Sequence, residues 1–295
     1  MNHFQSNIHN KYGAQGTAWL DTLPQLVATI ASKWRLHELT PAANLSHNYV
    51  LSGWQGTIPV ILKLSLDQEG LAQEAFALKC FAGFGAVGVI ADDDRALLIE
   101  RAIPGTSLKS GFPANDIDAT TITCHVMQKL HHAPIPTDHH FPHITDWLAV
   151  LNKNHAIPDS HLQKAKQLRD QLLATMAPDT LLHGDLHHDN ILQHGQAWVV
   201  IDPKGVIGEP AYEAAAFIRN PMPELLQYLS REKATAMIQN RIAVFAQNLN
   251  VLPNKITAWC FVQAVLSWVW ALEDNSDSAY WKQTTDVLDG IAETR

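Results

Sequence analysis

The sequence predicts an α+β chain in two lobes, a small strand-rich one at the N-terminus and a larger helical one behind it. Three observations carry this prediction. The chain has 295 residues, more than one compact domain usually holds. Short β-prone runs cluster before residue 101, and long helical patterns take over after it. Apolar residues make up 46% and charged residues 17%, which is ample for a buried core and excludes a disordered chain. The boundary is drawn at a punctuated segment near Arg101–Gly105, giving lobes of residues 1–101 and 102–295.

The elements follow in order. A first helix is expected after Thr22, a capping residue, with Pro24 tolerated in its first turn and Leu23, Leu26, Val27, Ile30 and Trp34 forming one apolar stripe. Strand-like segments follow at 48–51, 58–66, 87–91 and 96–101, and Ile103-Pro104-Gly105 reads as a chain reversal. Beyond it, helical patterns are interrupted by His- and Pro-rich loops and by one short β insertion near 191–201. No internal repeat or low-complexity tract is visible.

Charge and cysteine usage narrow the function. The formal net charge is −8 with no basic run, which argues against a phosphate footprint on nucleic acid. Cys80, Cys124 and Cys260 are scattered and odd in number, forming neither a disulfide framework nor a metal knuckle. The N-terminal segment is polar and lacks a signal core. The longest apolar stretch, residues 259–272, is interrupted by Gln263 and Ser267 and falls short of about 20 residues. The expectation is a cytoplasmic protein with no membrane segment and no obligate protein partner. From Leu181 onward there are 8 Lys/Arg against 13 Asp/Glu. This excess reads as an ordinary solvated acidic surface or as an acidic cleft for a cationic small molecule.

The most informative stretch runs His183-Gly184-Asp185-Leu186-His187-His188-Asp189-Asn190, then an apolar pair of short runs about a His194-Gly195 turn, then Ile201-Asp202-Pro203. The two runs predict a β-hairpin. A hairpin brings its open ends together, so Asn190 before it and Asp202 after it become neighbours. A neutral oxygen donor beside a carboxylate suits Mg²⁺, which takes few protein ligands and completes its shell with water and phosphate. Asp185 lies five residues before Asn190 on the same loop, where a carboxylate can accept the proton of an attacking hydroxyl. Asp and Asn are also ordinary turn residues, and His183, His187 and His188 could be read as a zinc cluster. No H-E-x-x-H helix or convincing third ligand supports zinc.

H-G-D-L-H-x-x-N, a hairpin and I-D-P together resemble the catalytic core of the aminoglycoside phosphotransferases, relatives of the protein kinases. More narrowly, Ile201-Asp202-Pro203-Lys204-Gly205, Gly208-Glu209-Pro210-Ala211-Tyr212-Glu213 and Arg219-Asn220-Pro221 resemble the streptomycin 6-phosphotransferase and hydroxyurea kinase branch. That branch usually reads G-D-P-A-Y-D where this chain carries Glu209 and Glu213. The likeness covers most of the chain, from Ala18-Trp19-Leu20 to Trp270–Asp274. It implies a bilobal protein-kinase-like fold and ATP- and Mg²⁺-dependent transfer of a phosphoryl group to a small-molecule hydroxyl. Streptomycin is the leading acceptor. Hydroxyurea, another hydroxyl metabolite, and a nucleotide-binding module without turnover are the rivals.

The resemblance asks for further parts in the N-terminal lobe. Alternation puts Val60, Leu62, Leu64 and Leu66 on one face of a strand and Lys63 on the other, where it is either a phosphate ligand or an edge lysine. Leu71, Ala75, Leu78 and Ala82 mark the apolar face of a following helix. Glu74 lies on that face, where a carboxylate needs a partner, while Glu69 points outward. Lys63 and Glu74 are therefore expected to pair and to position the ATP phosphates. Ser46 in Ser46-His47-Asn48-Tyr49 would face phosphate in the family's Gly-poor loop, although the stretch reads equally as an ordinary β-turn. Glu100-Arg101-Ala102 matches the family's hinge, where the Glu100 carbonyl and Ala102 N–H would read the adenine edge. Around a cationic acceptor the expected acids are Glu209, Glu213, Glu273 and Asp274, with Trp270 as a flat wall. Trp268 is expected in the core. Arg219 reads as a partner of a neighbouring acid, and Lys204 as a γ-phosphate contact or a solvent-exposed residue.

Overall fold

The computed structural model describes residues 3–274 and 276–293; the expected outer limits at residues 1 and 295 lie outside them. The chain forms two compact units, residues 1–82 with 87–103, and residues 83–86 with 104–295.

In the first unit a long helix, α1 (His3–Trp34), precedes a five-stranded sheet. Its strands are β1 (Leu36–Pro41), β2 (Tyr49–Gln55), β3 (Ile58–Leu64), β4 (Val89–Asp93) and β5 (Ala96–Glu100), with helix α2 (Gln68–Cys80) between β3 and β4. The order is β1-β2-β3-β5-β4, antiparallel throughout. Pleat alternation divides the two faces. Val60, Leu62, Leu64, Ala96 and Leu98 join Phe4, Ile8, Trp19, Leu23, Leu26 and Ile30 of α1 in one core. On the other face, Leu71, Ala75 and Leu78 bury the inner side of α2. Asp67 caps α2 by accepting from the Gly70 N–H at 2.9 Å.

Two expectations for this unit are corrected. Thr22 does not start a helix. α1 runs through it, the Thr22 hydroxyl donates to the Trp19 carbonyl at 2.7 Å, and Pro24 sits inside the helix. Burial of Phe4, Ile8 and Trp19 holds the preceding turns helical against the local breaker. The one break lies at Gly13, whose φ of 57° and ψ of −132° are open to glycine. Second, β1 is an additional strand. Its Glu38 adopts φ 54° and its register with β2 shifts between His37 and Thr40, so no period-2 pattern announces it.

The second unit begins with β6 (Pro104–Ser107), so the expected reversal at 103–105 is the start of a strand. Helices α3 (Asp116–Leu130), α4 (Ile144–Leu148) and α5 (Asp159–Ala174) follow. Next come β7 (Thr180–Leu182), β8 (Ile191–His194), β9 (Ala197–Val200) and β10 (Val206–Gly208), then α6 (Pro210–Ile218), α7 (Glu224–Gln227), α8 (Arg231–Leu249), α9 (Pro253–Glu273) and α10 (Ala279–Glu293). β6-β8-β9 form one small sheet and β10-β7 another. The core is built on α9, against which α5, α6, α8 and α10 pack. α9 is long and apolar enough to cross a membrane by length and composition, but Trp259, Phe261, Val262, Val265 and Trp268 are buried inside the unit. That is the pattern of a core helix, in which each such side chain contributes about 1.5–3 kcal/mol.

A buried cation ties this unit together. Arg241 of α8 donates through Nε to both carboxylate oxygens of Asp116 at 3.1 Å. Its Nη1 donates to the carbonyls of Phe217, Ile218 and Asn220, closing the C-terminal end of α6. Replacing Arg241 with Met strands the Asp116 charge and three carbonyls, so the loss should be about 3–5 kcal/mol. Urea unfolding checks it: a loss below about 1 kcal/mol would show that the network is not holding the unit.

Candidate active site

In the first unit, the β3 pleat turns Lys63 away from the α1 core and toward α2. Its Nζ lies 2.6 Å from Glu74 Oε2, and the lysine is only 4% exposed. A buried pair of this kind fixes a positive charge on a rigid strand. Ser46 is exposed on the β1–β2 loop, where its carbonyl accepts from Asn7 Nδ2 at 3.2 Å. Glu100 ends β5 paired with Val60, its N–H donating to the Gly88 carbonyl at 2.8 Å. Ala102 is buried just beyond it.

In the second unit, β7 feeds the loop 183–190 and the β8–β9 hairpin follows. Ile191 pairs with Val200 at the hairpin's open end, and the Ile201 N–H donates to the Asn190 carbonyl at 3.1 Å. Asn190 and the residue before Asp202 are therefore hydrogen-bonded neighbours. Asp202 adopts φ 58°, a left-handed conformation that Asp tolerates better than most residues. Asn190 Nδ2 donates to the Asp185 carbonyl at 2.9 Å. That bond holds the amide and reserves its oxygen as the hard donor. An amide oxygen with a carboxylate suits a hard divalent cation that keeps most of its shell for water and phosphate. Among the described residues no group of three or more His, Cys, Asp or Glu is arranged to hold a metal, and the three histidines of the loop are engaged otherwise.

His183 is fully buried. Its Nε2 bonds the Ile201 carbonyl at 2.8 Å and its Nδ1 bonds the Asp185 N–H at 3.2 Å. Donating on one side and accepting on the other requires a neutral ring with the proton on Nε2. Its own carbonyl accepts from the Lys204 and Gly205 N–H groups. His188 stacks on Phe217, ring centroids 3.8 Å apart. Gly184 adopts φ 83°, and a Cβ there would lie 2.9 Å from Trp147 Cη2 and 3.1 Å from Val206 Cγ1, so only glycine fits.

The expectation that Glu209 and Glu213 meet a substrate is corrected: they are 0% and 2% exposed. Glu213 accepts from the His183 N–H at 2.6 Å and the Gly184 N–H at 3.0 Å. Glu209 accepts from the Trp259 indole and the Ala177 N–H and pairs with Lys255 Nζ at 2.6 Å. Both project from the start of α6, a helix buried on every side, and a carboxylate in such a setting must be satisfied internally. The sequence carried that signal, since Glu213 stands among Ala211, Tyr212 and the run 214–218, all apolar.

A cavity of about 500 Å³ opens beside the loop. Asp185, Lys204, Arg219, Trp147, Trp270 and Asp274 are among the residues that line it. Asp185 has no closer partner for its carboxylate among the described residues than His187 Nε2 at 3.8 Å. Trp270 is 36% exposed and meets Trp147 edge-on at 5.8 Å, whereas Trp268 is buried in the core. Glu273 is exposed at the end of α9 and does not line the cavity. Arg219 lies on the cavity without an ion pair among the described residues, so it is not the partner of a neighbouring acid. Its neutral neighbours gave the sequence no pattern to read.

Burial holds the His183 pKa below its ordinary 6.5, against the opposing charges of Glu213 and Asp185. The unfolded chain then binds a proton near pH 6.5 that the folded protein refuses. The contribution is whole above about pH 6.5 and is lost at about 1.4 kcal/mol per unit as pH falls toward the lower folded value. Urea unfolding at about pH 7.5 and about pH 5.5 should show a steeper decline for the wild type than for His183→Gln. Equal declines would show that His183 is not the group responsible.

Comparison with known proteins now adds to this geometry. The family model described as "Aminoglycoside/hydroxyurea antibiotic resistance kinase" matches residues 34–275. Streptomycin 3''-kinase of Klebsiella pneumoniae is 29% identical over 249 residues, covering 82% of this chain and 91% of that protein. Streptomycin 6-kinase of Streptomyces griseus is 23% identical over 290 residues, covering 89% and 87%. Among solved structures, a thermostable mutant of aminoglycoside phosphotransferase APH(4)-Ia, in ternary complex with ADP and hygromycin B, superposes with a TM-score of 0.66 at 15% identity. The match covers 90% of this chain and 97% of that one, and it shows a shared protein-kinase-like fold. With well over half its length matched by the family model, the chain belongs to the aminoglycoside/hydroxyurea antibiotic resistance kinases, phosphotransferases that act on hydroxyl groups.

Proposed function

We propose that this kinase transfers the γ-phosphoryl group of ATP, with Mg²⁺, to a hydroxyl of a streptomycin-type aminoglycoside. The observation that carries the reading is the open carboxylate of Asp185 on a cavity also lined by Trp270 and Asp274. An aromatic face and an acid suit a cationic, sugar-like acceptor. The two relatives named for streptomycin and the ADP complex of APH(4)-Ia support the choice of acceptor and nucleotide. Those relatives are named for different hydroxyls. The motif likeness to the 6-phosphotransferase branch favours the 6-position. The three free cysteines fit a reducing compartment, and we place the enzyme in the cytoplasm, acting on a small molecule.

Asp185 accepts the hydroxyl proton as the oxygen attacks the γ-phosphorus; the new O–P bond forms and the bond to ADP breaks. Asn190 and Asp202 are the residues that would hold the metal, which supplies charge neutralisation at the phosphate oxygens when bound. Lys63, held by Glu74, steadies the nucleotide phosphates. Ser46 is assigned to the phosphate loop, and the backbone at Glu100 and Ala102 to adenine. Glu273 is left as a peripheral acid beside Asp274.

A coupled ADP-release assay with streptomycin, with mass spectrometry of the product, should show the gain of one phosphate. Fragmentation of that product separates the two hydroxyls. Asp185→Asn should lower kcat by about 100-fold or more, with Mg·ATP affinity within about threefold of wild type. Asp202→Asn should weaken metal-dependent nucleotide binding as well. Near-normal kcat in Asp185→Asn would remove Asp185 from the role of base.

A further inference from the structure

Arg219 lines the cavity, and the scheme above gives it no role. It ends α6 and is 8% exposed. Its Nη2 donates to Gln263 Oε1 at 3.3 Å, and the orientation of that amide is fixed because Gln263 Nε2 donates to the Tyr212 carbonyl at 2.6 Å. The guanidinium lies over the Trp281 ring at 4.9 Å, and the Arg219 carbonyl accepts from the Tyr280 hydroxyl at 2.6 Å. The side chain is thus gripped by an amide edge and a flat ring.

It is gripped without being neutralised. Among the described residues Arg219 makes no ion pair, and its Nε is buried with no hydrogen-bond partner. Nη1 makes no hydrogen bond among the described residues either, and the residue lines the cavity. Arg241 in the same unit shows the contrast: it too is buried, yet a carboxylate and three carbonyls surround it. An arginine cannot shed its charge, and a buried cation with idle donors is costly unless something supplies acceptors. Burial pushes the Arg219 pKa down from its ordinary value, and the charge of Asp185, which lines the same cavity, opposes that shift.

Resting on the kinase reading above, we propose that Arg219 is a specificity-determining residue that donates from Nη1 to an oxygen of the acceptor close to the hydroxyl that reacts. The acceptor then has two distinct ends. A cationic group lies toward Trp270 and Asp274, and a hydroxyl, ether or carbonyl oxygen lies toward Arg219. A guanidinium repels a positive group but holds oxygen lone pairs with directional N–H bonds. The cavity therefore selects molecules that carry an oxygen beside the reacting hydroxyl. A site built to hydrogen-bond an oxygen discriminates strongly against analogues that lack it.

The test is the split between KM and kcat with Mg·ATP and streptomycin. Arg219→Gln should raise KM for streptomycin about 10- to 100-fold, with KM for ATP and kcat at saturating acceptor within about threefold of wild type. Arg219→Lys, which keeps the charge but loses the planar fork, should fall between the two. Trp281→Leu, which removes the ring under the guanidinium but leaves its charge, should raise the same KM about 3- to 10-fold. It serves in place of Arg219→Gln if that variant does not melt as a folded protein. An unchanged KM for streptomycin in a folded Arg219→Gln enzyme overturns the inference and leaves the kinase reading intact. A fall in kcat with unchanged KM also overturns it, by placing Arg219 on the transferring phosphoryl group instead. If the wild type shows no turnover, calorimetric binding of streptomycin to wild type and Arg219→Gln decides. Binding weakened by the substitution supports the role, and no binding to wild type removes acceptor and inference together.

Discussion

The loop 183–190 depends on one buried carboxylate. Glu213 receives the N–H groups of both His183 and Gly184, two donors that the chain's sharp turn would otherwise leave unmatched in the interior. Because that turn is fixed, His183 can hold the Asp185 N–H on one side of its ring and the Ile201 carbonyl on the other. The His183 carbonyl then receives the Lys204 and Gly205 N–H groups. The segments on either side of the hairpin thereby meet at His183, whose own N–H is held by a side chain from α6. These backbone and ring hydrogen bonds help set the positions of Asp185 and Asp202 relative to each other.

α6 carries this load because both of its ends are secured. Near its start Glu209 joins the Trp259 indole, Lys255 and the Ala177 N–H; at its end Arg241 donates to the last carbonyls. Phe217 on the same helix supports His188. The most buried helix of the second unit is therefore also the one that sets the loop geometry, a case in which packing and positioning are served by the same residues.

What the sequence disclosed divides along the range of the interactions. The β8–β9 hairpin and the Lys63–Glu74 pair were legible because each follows from a local period. One is an apolar alternation about a glycine turn, the other a single acid on the inward face of a helix facing a single inward lysine. β1 was not, since its irregular backbone at Glu38 erases alternation. The start of α1 was misread because Thr22 and Pro24 carry the local signature of a helix start, while distant packing overrides it. Glu209 and Glu213 were misassigned because their charge and motif position outweighed the apolar run around Glu213 that marked burial. Arg219 was legible as a motif residue but not as an unneutralised one, because its neutrality of surroundings is a property of the fold.

The contact between Gly184 and Trp147 bears on how such an enzyme can diversify. The tip of Trp147 occupies the space that a Cβ on Gly184 would need, and the same ring forms part of the cavity wall. Any change of Trp147 that reshapes the cavity also loosens or crowds the turn before Asp185. Trp270 and Trp281 line the cavity too, with no such contact to that turn. Lineages adapting to new acceptors would accordingly accumulate replacements on the α9–α10 side, while Trp147 and Gly184 change together or stay as they are.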